Sequence, residues 1–136
     1  MVSYHIVYQG GLRCEATHDP SQVKIVTDAP VDNHGRGESF SPTDLVAVGY
    51  GLCIIITMGI AVQNEKIVLD GSRVYVEKHM STDAPRRIAK IVVKIDFVSG
   101  IPRDRRAYLE RIAHTCPVAK SLHPDVAIDL KFNYPD

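Results

Sequence analysis

Net charge is missing from this sequence: sixteen Lys and Arg stand against sixteen Asp and Glu. A chain with no basic excess lacks the electrostatic footprint of a nucleic-acid binder or of a polybasic membrane contact, so neither nucleic acid nor membrane is an expected partner. Cysteine is scarce, with Cys14, Cys53 and Cys116 odd in number and far apart. That spacing fits neither a secreted disulfide framework nor a CxxC metal knuckle. The six histidines, at positions 5, 18, 34, 79, 114 and 123, form no HxxxH or HExxH pair, and no metal or cofactor is expected. Repeats, linkers and low-complexity tracts are absent too, which points to a single domain over residues 1–136. The stretch Met1 to Gln9 alternates apolar and polar residues without the basic end and apolar run of a secretory signal, and a cytosolic protein is expected.

What is present is a chain of 136 residues, 45% of them hydrophobic, long enough to bury a core without metal or disulfide staples. Leu45 to Val62 runs for eighteen residues without a charge, a length that approaches a membrane span. Gly49, Gly51 and Gly59 and the lack of Lys or Arg at its N-terminal end argue against that reading, as does a soluble-helix start just before it. Ser41 is a candidate N-cap, Pro42 suits the first helical position, and Asp44 completes a capping box. A helix apolar on all sides must be surrounded by protein, and one subunit of this size can hardly wrap it alone, so a homodimer is expected. At about 100° per residue, Thr43, Tyr50, Cys53 and Thr57 share a stripe about 80° wide.

Around this helix the pattern predicts strands and a second helix. Val2–Tyr8 and Leu12–His18 flank Gly10-Gly11 as a hairpin, and Val23–Thr27 follows. Asp28 to Phe40 is a polar loop. Val74–Met80 and Ile88–Val98 flank Asp83-Ala84-Pro85 as a second hairpin, and Val126–Tyr134 is a last strand. From Arg103, the residues Leu109, Ile112, Ala113 and Cys116 recur at helical spacing, with Cys116 on the buried face. Pro117 then disfavours helical dihedrals at Cys116 and suits the opening of a new turn. Such a turn places the Cys116 thiol at a helix N-terminus, where the dipole favours thiolate. The class is α+β.

The run Ser41-Pro42-Thr43-Asp44-Leu45, with Tyr50 and Cys53 in the long apolar helix and Cys116-Pro117-Val118 after an amphipathic one, resembles the OsmC/Ohr family of cysteine-based hydroperoxide reductases. The resemblance covers nearly the whole chain. It implies an OsmC-like fold, with antiparallel sheets wrapped around long central helices in an intertwined homodimer. It also implies a thiol-dependent peroxidase acting on organic hydroperoxides and reduced by an external dithiol such as a protein-bound dihydrolipoyl group. Cys53 matches the family's peroxidatic cysteine and Cys116 its resolving cysteine.

The family offsets the burial of its reactive cysteine with an arginine held by a glutamate. Here the acid that normally follows the helix-start proline is replaced by Thr43. Arg13 corresponds to the arginine of the Ohr branch, and Arg36 lies in the loop where the OsmC branch carries one. Glu38 and Asp44 are candidate stand-ins for the acid, Asp44 being simpler to explain as a cap. Position 43 lies about 15 Å along a straight helix from position 53, so a residue there can serve only the partner's cysteine. With a neutral Thr43, the arginine is expected to lack its charged holder, and weak turnover follows. Tyr50 is expected to line the substrate pocket, while Cys14 and His114 are expected to be structural and surface residues. A protein of the same fold that responds to redox change or binds a small ligand without turnover is the alternative.

Overall fold

The chain reverses first where glycine permits it. Gly10 and Gly11 take φ of 85° and 60°, and Leu12 follows at 64°, a left-handed run that costs little at the two glycines. In this computed structural model, which describes all 136 residues, the turn joins β1 (Tyr4–Gly10) to β2 (Arg13–His18), and β3 (Lys24–Asp28) adds an antiparallel third strand in the order β1-β2-β3. The register sets Arg13 directly opposite Asp28 and Cys14 opposite Thr27. This sheet belongs to the first of two compact units, Met1–Val46 and Ala47–Asp136. The expected polar loop after β3 contains a short 3-10 turn at Val31–Asn33.

Helix α1 (Pro42–Val62) begins in the first unit and continues through the second. Its start is the anticipated capping box: the Ser41 N–H donates to Asp44 Oδ2 at 2.8 Å, and the Asp44 N–H donates to Ser41 Oγ at 3.1 Å. By length and composition the helix could cross a membrane, with a mean hydropathy of 2.4 over its most apolar window.

In the second unit β4 (Arg73–Met80) and β5 (Ile88–Asp96) pair antiparallel, and β6 (Ala127–Asn133) lies on the other side of β5. The β5–β6 pair is parallel, a departure from purely antiparallel sheets. Parallel neighbours need a crossover, and α2 (Arg103–Thr115) with α3 (Pro117–Ser121) supplies it. The core joins Ile54 and Met58 of α1 to Ile91, Val93 and Ile95 of β5 and Leu109, Ile112 and Ala113 of α2. Each large side chain among them gains roughly 1.5–3 kcal/mol from leaving water. Gly51 lets α1 approach β4 closely, because a Cβ there would stand 2.7 Å from Val76 Cγ2.

The helix is not buried on every side within one chain. Ala47, Tyr50, Gly51, Ile54, Met58 and Val62 face the core, whereas Leu52, Ile56 and Ile60 are 54%, 58% and 60% exposed. The uncharged stretch therefore has an inner face that the chain covers and an outer apolar stripe that it leaves open.

Candidate active site

Each unit carries one cluster of the residues anticipated from sequence. In the second unit, α1 brings Cys53 to the margin between the buried face and the open stripe, where it is half-buried. Thr57 Oγ1 lies 3.8 Å from its Sγ, one turn further along. The Cys116 thiol comes within hydrogen-bonding reach of Cys53 although 63 residues separate them in sequence. Pro117 explains its placement: Cys116 has extended backbone angles (φ −63°, ψ 158°) and acts as C-cap of α2 and N-cap of α3 at once.

The α3 N-terminus was expected to favour thiolate at Cys116, and the balance falls the other way. Burial pushes the Cys116 thiol up, and the neighbouring Cys53 adds to that; the N–H groups of Ala119 and Val118 pull it down but do not win. The thiol is 2% exposed and α3 is five residues long, so desolvation outweighs a short helix's dipole. Cys116 is thus held as a protonated, enclosed thiol next to a more accessible one.

Tyr50 is a buried side chain whose hydroxyl donates to the Ala113 carbonyl at 2.8 Å. That carbonyl lies in the last turn of α2, and the residue four places on is Pro117, which has no N–H to offer it. Tyr50 therefore satisfies a helix-end acceptor three residues before Cys116. Burial first, then the two thiols, pushes its phenol up to about 12, so it stays protonated in neutral solution. An open apolar pocket of about 280 Å³, lined by Val48, Gly51, Leu52, Ile55, Val74 and Val76, opens roughly on the opposite side of α1 from Cys53 and does not serve the thiols.

In the first unit the arginine question is answered by hydrogen bonds. Arg13 donates from Nε to Asp28 Oδ1 at 3.0 Å and from Nη2 to Asp28 Oδ2 at 3.3 Å, and Nη2 also donates to Glu38 Oε2 at 2.8 Å. The Asp28 carboxylate accepts the Glu38 N–H at 3.0 Å as well. The hydrogen bond from Arg13 is the largest influence holding the Asp28 carboxyl below its usual range, and the positive charges of Arg13 and Arg36 help. Arg36 itself is exposed. The expectation that Arg13 lacks a charged holder is therefore corrected: Glu38 pairs with it, as one of the candidate stand-ins, and Asp28 holds it more fully. Asp44 is occupied as the cap of α1, and Thr43 Oγ1 lies 3.2 Å from Ser41 Oγ in that cap. Cys14 is half-buried on β2, opposite Tyr8 and Thr27, and His114 is exposed.

Asp28 is the residue that sequence reasoning passed over. The sequence pattern makes it the first residue of a polar loop, yet it is the last residue of β3, and only the register with β2 puts it opposite Arg13. The available signal was the strand pairing itself: a hairpin turn at Gly10-Gly11 fixes β2, and a charge at the end of the next strand is then a cross-strand partner.

The arrangement defines a class: an α+β protein with two adjacent thiols, one enclosed and one accessible, and no cluster of His, Cys, Asp and Glu able to hold a metal. A sequence model of the family described as OsmC-like protein matches residues 35–131, and the chain belongs to that family, the OsmC/Ohr proteins. Among solved structures it is similar to a candidate osmotic stress induced and detoxification response protein from Psychrobacter arcticus, at 39% identity and a TM-score of 0.91 over 98% of this chain and 96% of that one. An organic hydroperoxide resistance protein OsmC from Legionella pneumophila shares the fold at 17% identity and a TM-score of 0.77, over 98% of this chain and 96% of that one. One from Elizabethkingia anophelis, with thiocyanate bound, does so at 15% identity and the same TM-score, over the same shares of the two chains. No curated protein matches the chain.

Proposed function

We propose that this protein is a thiol-dependent peroxidase that reduces organic hydroperoxides to alcohols in the cytosol. The observation that carries the reading is the pairing of a half-buried Cys53 with an enclosed, protonated Cys116 at hydrogen-bonding distance. Family membership and the hydroperoxide-resistance names of two relatives of the same fold agree with it.

In this reading the Cys53 thiolate attacks the terminal oxygen of the hydroperoxide. The O–O bond breaks, the alkoxide takes a proton and leaves as alcohol, and Cys53 becomes a sulfenic acid. Cys116 sulfur then attacks the Cys53 sulfur, water leaves, and a disulfide remains. An external dithiol, such as a dihydrolipoyl group on a partner protein, reduces that disulfide and is itself oxidised. The family resemblance assigns to Arg13 the positive charge that favours the reacting thiolate.

The working form is a homodimer. One chain leaves the stripe Leu52, Ile56 and Ile60 in water beside Cys53, and leaves Tyr4, Ile6, Val7 and Tyr8 of β1 exposed. A second copy covering the stripe removes an apolar area that monomers rarely show and encloses the thiol in an apolar setting suited to organic rather than inorganic peroxide.

The test is steady-state turnover of cumene hydroperoxide, a fatty-acid hydroperoxide and hydrogen peroxide with dihydrolipoamide, for the parent and Cys53→Ser. Turnover that is fastest with the organic peroxides, lost in Cys53→Ser, and accompanied by a Cys53–Cys116 disulfide with Cys14 free supports the reading. Oxidation that recruits Cys14, or a parent that turns over none of the three, overturns it.

A further inference from the structure

The uncharged stretch from Leu45 to Val62 carries two hydroxyls, those of Tyr50 and Thr57. The Tyr50 hydroxyl is taken up by the Ala113 carbonyl. Thr57 stands between Ile56 and Met58, where valine would offer the same branched shape without a polar atom to satisfy. Side chains at i and i+4 lie on one face of a helix, with their Cα–Cβ bonds tilted toward its N-terminus, so Thr57 leans back over the turn that carries Cys53. Its Oγ1 stands 3.8 Å from Cys53 Sγ. While Cys53 is a thiol, either partner can donate. Once the sulfur has lost its proton it only accepts, and Thr57 must be the donor.

A helical threonine can also donate to the carbonyl four residues back, as Thr115 does to Arg111 at 3.0 Å. Charge decides between the two acceptors. Hydrogen bonds to an ionised group are shorter and about twice as strong as neutral ones, so a thiolate at Cys53 draws the hydroxyl to sulfur. The titratable groups that face Cys53 within this unit, Tyr50 and Cys116, are both pushed up and stay protonated in neutral solution, so neither opposes the new charge. Cys116 offers an S–H, a weaker donor than an O–H. We propose that Thr57 is a catalytic residue of this protein's peroxide chemistry: from one turn along α1 its hydroxyl donates to the sulfur of Cys53 and stabilises the thiolate over the thiol. The proposal rests on the peroxidase reading. Cys53 gives its proton to water, and Thr57 keeps its own throughout.

The test compares the full-length parent with Thr57→Val, which removes the hydroxyl and keeps the branched shape, and Thr57→Ser, which keeps the hydroxyl. Two rates are followed against pH: alkylation of Cys53 by iodoacetamide, read on the Cys53 peptide by mass spectrometry, and oxidation of Cys53 by cumene hydroperoxide in a single turnover. In Thr57→Val both profiles are expected to move to higher pH by about one unit, the order of one hydrogen bond's effect on an ionising group. On the acid side the thiolate population then falls about tenfold, while a more basic thiolate attacks faster with a Brønsted slope of about 0.4–0.5, so the peroxide constant should fall by roughly threefold. On the alkaline plateau the variant should match or exceed the parent, whereas a merely structural defect would lower the rate at every pH. Thr57→Ser should restore the parent profile. Coincident profiles for Thr57→Val and the parent, or a loss that persists on the plateau, overturn the role of Thr57 and leave the peroxidase reading in place; should Thr57→Val fail to fold, Thr57→Ala carries the same comparison. An alkylation shift together with a parent that consumes no hydroperoxide overturns the peroxidase reading and leaves the donation to sulfur standing.

Discussion

Removing one oxygen atom from Tyr50 probes how the resolving cysteine is held in place. In Tyr50→Phe the ring still fills its core position, but the Ala113 carbonyl loses the donor that compensates for Pro117. A typical hydrogen bond contributes about 1 kcal/mol net, and leaving a buried carbonyl unmatched costs about 1–3 kcal/mol, so the loss is expected within that range. For a chain of this length the entropy of unfolding is about 0.3 kcal/mol/K, which converts the loss into a fall in Tm of roughly 3–10 °C. The assay is thermal and urea unfolding of reduced parent and variant at one protein concentration, because a dimer's Tm depends on it. The local consequence falls on Cys116, three residues beyond the freed carbonyl at the frayed end of α2. Disulfide formation after a single addition of hydroperoxide is expected to slow in the variant, while the first step, sulfenic acid formation at Cys53, proceeds at the parent rate. A variant whose Tm lies within about 1 °C of the parent, with disulfide formation unchanged, would refute the claim that Tyr50 anchors this helix end.

Three further outcomes follow from the same contacts. Ile56→Glu puts a charge in the centre of the open stripe formed with Leu52 and Ile60, and sedimentation at micromolar concentration should find parent dimers and variant monomers; a monomeric parent would remove the stripe's assigned role. Thr43→Glu adds an acid where Arg13 already has two, so kcat/KM for hydroperoxide should change by less than about twofold, and a large gain would show that Asp28 and Glu38 do not hold the arginine in solution. The Asp28 carboxyl sits below its ordinary value of 3.8, chiefly because Arg13 donates to it. The ionised form is therefore favoured by folding, and its contribution to stability is full above 3.8 and is lost as pH falls through the lowered value. Urea unfolding at pH 5 and pH 3 should show a steeper acid loss for the parent than for Asp28→Asn; equal slopes would contradict the pairing.

Local chemistry made much of this protein legible from its residues alone. Ser41, Pro42 and Asp44 specify the start of α1 because a capping box closes within four residues, and Pro117 sets Cys116 between two helices because its ring acts on its immediate neighbour. The paired thiols were legible through the motif around each of them. What the tertiary structure decided involves residues far apart in sequence. The clamp of Arg13 by Asp28 depends on the register of β2 against β3, and a shift of one residue would turn either side chain to the opposite face. The bond from Tyr50 to Ala113 spans 63 residues. Which side of an evenly apolar helix is covered cannot be read from its composition, because a uniform sequence carries no preferred face; only the strands and helix that pack against it make Ile54 and Met58 interior while leaving Ile56 and Ile60 open. The protonation of Cys116 belongs to the same group, since the dipole at its helix start is a local property, whereas the burial that overrides it comes from the rest of the unit.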